Sequence, residues 1–118
     1  MRITELAPGE VFVFGSNASG QHVAGAAALA ADKFGALWGE GHGLHGSSYA
    51  IDTMSGFDVI VVEVAGFVSF ASAHPELRFL VTEIGCGIAG YRPAQIAPLF
   101  VGASPNVILP EAFSQLIG

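Results

Sequence analysis

Apolar residues gather in short runs along this chain, and glycine-rich or polar stretches separate them. After the turn residues Pro8-Gly9, the run Val11-Phe12-Val13-Phe14 predicts a buried strand over Glu10 to Phe14. Ser48-Tyr49-Ala50-Ile51-Asp52-Thr53 predicts a second strand, Arg78 to Thr82 a third and Asn106-Val107-Ile108-Leu109 a fourth. Between the first two, an alanine-rich segment from about Val23 to Phe34 predicts a helix that Gly35 ends.

The segment Val59 to His74 carries two signals. Val59-Ile60-Val61-Val62 has strand propensity, yet Ile60, Val64, Phe67, Val68 and Ala71 share one helical face. Its length and the stop at His74-Pro75 favour a helix starting near Val61. Pro93 near a first helical position predicts a short helix that Pro98 curtails, and Glu111 to Leu116 predicts a terminal helix. Trp38 to Gly46 alternates glycine with other residues and reads as a flexible loop.

Strands and helices thus alternate, which predicts an α/β fold with a mostly parallel central sheet and right-handed crossovers. Ligands in such folds bind beyond the carboxyl ends of the strands. Two glycine-rich loops follow strands at that end: Gly15 to His22, and Gly85 to Tyr91. They are expected to face one crevice. In the second loop Gly85, Gly87 and Gly90 allow backbone N–H groups close approach to an anion, with the dipole of the following helix behind them. A tight strand-to-helix turn is the plainer use of the same glycines.

Composition narrows the partners. Hydrophobic residues make up 52% of the 118 and charged residues 12%. Ordinary domains carry about 25% charged residues, so a homodimer that covers apolar surface is one expectation. Ten acids against four bases give a net charge of −6, and Arg2, Lys33, Arg78 and Arg92 are scattered. No basic face for nucleic acid is expected. Cys86 is the single cysteine, the N-terminus has no signal-peptide pattern, and the longest apolar run is too short to span a bilayer. A cytoplasmic protein without membrane partners is the expectation, as one domain over residues 1–118.

Three segments resemble the macro domains. Asn17, its glycine-bearing loop and Val23-Ala24-Gly25-Ala26-Ala27 are similar to the asparagine and first-helix segment of that family. Ile84-Gly85-Cys86-Gly87-Ile88-Ala89-Gly90-Tyr91 is similar to its phosphate loop, and Ser48 to Thr53 resembles its middle strand. The likeness is greatest to small, stand-alone macro-like proteins of bacteria and phages. It implies a three-layer α/β/α sandwich that binds ADP-ribose, an ADP-ribosylated protein or a related NAD-derived nucleotide. It further implies diphosphate on the Gly85, Cys86, Gly87, Ile88, Ala89 and Gly90 amides, and the distal ribose against Tyr91. Asn17 would hydrogen-bond ribose hydroxyls, with Gly20 and His22 lining the same end.

The sequence departs from the family in two places. Only a few residues precede the first strand, where macro domains carry extra strands and an acid that reads adenine; Asp52 and Glu5 are the substitutes available. An aspartate of the hydrolytic branch is absent, since Ala24 stands in the corresponding helix segment.

An ADP-ribosyl hydrolase or nucleotide phosphohydrolase using Asn17, His22 and Glu83 is the alternative to a binding module, with Glu83 and His22 as catalytic candidates. An assembly protein is a third class. Cys86 near a helix start is a possible nucleophile. His22, His42 and His45 lack the carboxylate or cysteine cluster that would complete a metal shell, and no metal or cofactor is expected.

Overall fold

The computed structural model describes residues 5–17, 25–35, 41, 43–87 and 89–117. Its sheet is built on β1 (Glu10–Ser16), which lies between β3 (Ser48–Asp52) and β4 (Arg78–Val81) and runs parallel to both. β4 pairs in parallel with β5 (Val107–Ile108), and the edge strand β2 (Gly43–His45) pairs antiparallel with β3. The order β2-β3-β1-β4-β5 makes a mixed, mostly parallel five-stranded sheet with helices α1 (Gly25–Lys33), α2 (Phe57–Ser72), α3 (Pro93–Ile96) and α4 (Glu111–Ile117).

Strand alternation sorts the core into two clusters. Val11 and Val13 of β1 join Ile51, Phe79 and Val81 with Ile60, Val64, Phe67 and Ala71 of α2 and Phe113 of α4. Phe12 and Phe14 point the other way, onto Ala30 of α1, with Phe34 and Ala50. β1 is therefore buried on both sides, which accounts for its unbroken apolar run.

Two expectations are corrected, and a third is extended. The alternating glycine segment is not all loop: Gly43-Leu44-His45 pairs with Ala50-Tyr49-Ser48 across the turn Gly46-Ser47. Gly46, at φ +59°, supplies the left-handed turn position, and the Ser47 amide donates to the Phe34 carbonyl at 2.9 Å. α2 starts at Phe57 rather than near Val61. Gly56 precedes it and Asp58 sits in the favourable first turn, while burial of Ile60, Val64, Phe67 and Ala71 overrides the β-propensity of the valines. α3 ends before Pro98, but the chain continues as a 3-10 turn, Ala97–Phe100. Pro98 lies in the first turn of that segment, where a missing N–H costs little.

Among the described residues no helix is long and apolar enough to cross a membrane.

Candidate functional site

The strand order fixes where a crevice can open. From β1 the chain leaves toward β3 on one side, and from β4 it leaves toward β5 on the other. Adjacent parallel strands whose connections diverge leave a gap beyond their carboxyl ends. By this rule a gap would lie between the end of β1 and the loop after β4.

Two threonines, marked in the sequence only as strand ends, hold the rim. The Thr82 amide and hydroxyl both donate to the Val13 carbonyl, at 3.0 and 2.8 Å. The Thr53 amide and hydroxyl both donate to the Ser16 carbonyl, at 3.0 and 3.2 Å. Each carbonyl uses both lone pairs, so the end of β1 is clamped from both neighbours. Between the clamps sits Gly15. A Cβ there would stand 3.1 Å from Thr53 Oγ1 and 3.5 Å from the Gly85 nitrogen. Absence of a side chain at position 15 brings the two strand ends together.

The loop after β4 is a series of tight turns. The Ile84 amide donates to the Thr82 carbonyl, Cys86 to Glu83, Gly90 to Gly87 and Tyr91 to Gly85. Gly85 and Gly90, at φ +76° and +82°, occupy the left-handed region that these turns require. The amides of Cys86, Gly90 and Tyr91 are thus spent inside the loop. Those of Gly85, Gly87 and Ala89 have no acceptor among the described residues. The helix dipole expected behind the loop is small, because α3 is one turn long and starts only at Pro93.

Tyr91 is half-buried. Its ring contacts the position that a Gly85 Cβ would take and lies 5.7 Å from the Phe57 ring, at 51° to it. Phe57 is 38% exposed at the start of α2, so two aromatic edges border the loop. Asn17 follows directly after β1 and is partly exposed. Gly20, His22 and Ile88 lie outside the described residues, as do Ala24, Trp38 and His42.

Glu83 is exposed beside the loop, while Cys86 is half-buried with its Sγ 3.6 Å from the Ile84 carbonyl. Burial, and then the Glu83 charge, push the Cys86 thiol up from its ordinary range. That is the opposite of an activated thiolate. Asp52 is buried, and its carboxylate accepts from the Met54 amide and the Ser55 hydroxyl, at 3.0 and 2.6 Å. Its own amide donates to Glu63. Asp52 therefore shapes the turn into α2, whereas Glu5 is exposed near the other end of β1.

Among the described residues no three metal-ligating side chains converge, and every buried side-chain nitrogen and oxygen has a partner. Two open concavities lie elsewhere, one along α2 and Leu99 to Gly102, the other between the 3-10 turn, β5 and α4. Neither touches Gly85 to Tyr91.

Comparison with protein-family models, curated proteins and solved structures finds no match to this chain.

Proposed function

We propose that this chain is a macro-like three-layer α/β/α module that binds ADP-ribose or a related NAD-derived nucleotide between the end of β1 and the loop after β4. The observation that carries the reading is the divergence of the chain at β1 and β4, with Gly15 and Gly85 in close approach at that point. Three loop amides without an acceptor among the described residues, those of Gly85, Gly87 and Ala89, suit phosphate oxygens. A site of this kind needs no cationic cluster, which agrees with a chain of net charge −6. The Tyr91 and Phe57 rings offer apolar edges for a sugar or a base. Asn17, which directly follows β1, would hydrogen-bond the ribose hydroxyls in this reading.

Binding rather than nucleophilic catalysis fits the raised Cys86 thiol. Hydrolysis would rest on Asn17, on His22 and on Glu83, which is exposed at the loop's edge. Calorimetry with ADP-ribose tests binding, and release of ADP-ribose from a modified protein tests turnover. Saturable heat without turnover is the expected pair of results. Turnover that Glu83→Gln abolishes would replace the binding module with an enzyme.

A further inference from the structure

α2 is apolar on both sides. Its inward seam, Ile60, Val64, Phe67 and Ala71, is fully buried. An outward seam of the same spacing runs through Val62, Gly66, Ser69 and Ala73, all exposed, with Ala65 beside it. Val62 is 70% exposed. The only charged residues of α2 are Asp58 and Glu63, and Glu63 accepts the Asp52 amide instead of lying on this seam. A surface helix ordinarily shows a polar outer face, and one that is apolar all round is covered.

Gly66 sits at the middle of the seam. Its φ lies outside the left-handed region, and beyond its own helix backbone no atom of the described residues comes within 4 Å of the position a Cβ would take. Packing within the described chain does not require a glycine there, although glycine weakens a helix interior. Close approach of another backbone does require one.

We infer that this face receives a second copy of the chain, with two α2 helices antiparallel across a two-fold axis near Ala65 and Gly66. The face is self-complementary. Val62 projects on one side of Gly66, and a hollow lined by Ala65, Val68, Ser69, Ser72, Leu99 and Val101 lies on the other. A two-fold places each projection in the other copy's hollow. Charge sets the direction. Parallel helices would bring the two Asp58 carboxylates together, whereas antiparallel helices hold them at opposite ends. Two copies of charge −6 also meet here through a surface almost free of charge.

The 16 residues of α2 make a strip about 24 Å long. At one helix diameter, about 10–12 Å, it buries roughly 250–300 Å² per copy before the flanking Leu99 to Gly102 segment is added, which corresponds to a weak, reversible dimer.

Analytical ultracentrifugation of the whole chain from about 10 μM to about 1 mM tests this assignment. A monomer–dimer equilibrium is expected, weakened at least tenfold by Val62→Glu and by Ala65→Glu with circular dichroism unchanged. In a Cys86→Ser background, Ala65→Cys should give a disulfide-linked dimer on oxidation. A monomer throughout the range, a higher oligomer, or dimerisation unaltered in both glutamate variants would overturn the assignment. So would failure of Ala65→Cys to cross-link.

Discussion

Asn106 shows how much one side chain does that pattern reading does not reveal. Its Nδ2 lies 3.0, 3.1 and 3.0 Å from the carbonyls of Ala71, His74 and Leu77, which tie the end of α2 to the approach of β4. Its backbone carbonyl accepts the Phe79 amide, and the Ser104 hydroxyl donates to its Oδ1. Two protons serve three acceptors, so no other side chain of that size fits. Asn106→Ala should cost about 1–3 kcal/mol. Asn106→Asp should cost more, because a carboxylate would face three carbonyls; urea unfolding of both variants measures the difference. Cys86 carries the second prediction at this scale. Burial and Glu83 together raise its thiol above the ordinary range, so alkylation near pH 8 should be slower than for a free thiol. Glu83→Gln removes a negative charge, favours the thiolate and should speed alkylation. Burial is the larger cause, so the gain should stay within a few-fold.

Among the elements, most of those read from hydrophobic pattern lie close to their observed bounds: β1, β3, β4, β5 and α4 each follow an apolar run or helical face, whereas α2 begins four residues earlier than its pattern suggested. β2 escaped because glycine alternation carries no hydrophobic period. Its signal was the Gly46-Ser47 pair between His45 and Ser48, a two-residue hairpin turn. The glycines themselves separate into those the backbone needs and those it does not. Gly35 and Gly46 have positive φ, and a Cβ on either would stand 3.0 Å from the Cα of the other. Gly46→Ala should destabilise by about 1–2 kcal/mol, from left-handed strain and that close contact. Gly66→Ala, measured at low concentration, should stabilise by about 0.5–1 kcal/mol, since it removes only helix-interior entropy. The opposite signs in denaturant midpoints are the check.

For the whole molecule, the topology of the sheet rather than any side chain identifies the crevice. Alternation of strands and helices in the sequence pointed to both glycine-rich loops at the carboxyl edge. Placing the ends of β1 and β4 beside one another needed the order β3-β1-β4, which hydrophobic pattern does not encode because strand pairing is a long-range choice. The glycines at positions 85 and 90 were legible, but which amides the turns would consume was not. The one-turn length of α3 was equally hidden, since it depends on how Pro93 and Pro98 share the segment. Among the described residues, what the loop offers a ligand is therefore the amides of Gly85, Gly87 and Ala89, and position 87 gives the cleanest probe. No atom of the described residues lies within 4 Å of a Gly87 Cβ, and its φ is not left-handed, so a side chain there leaves the backbone unstrained while filling the open side of the loop. Isothermal titration of the wild-type chain and Gly87→Val with ADP-ribose is the deciding measurement. A nucleotide site at this loop predicts saturable binding by the wild type and at least tenfold weaker binding by Gly87→Val, with matching thermal stability. No heat with the wild type at millimolar ligand, or equal affinity in the two proteins, would contradict it.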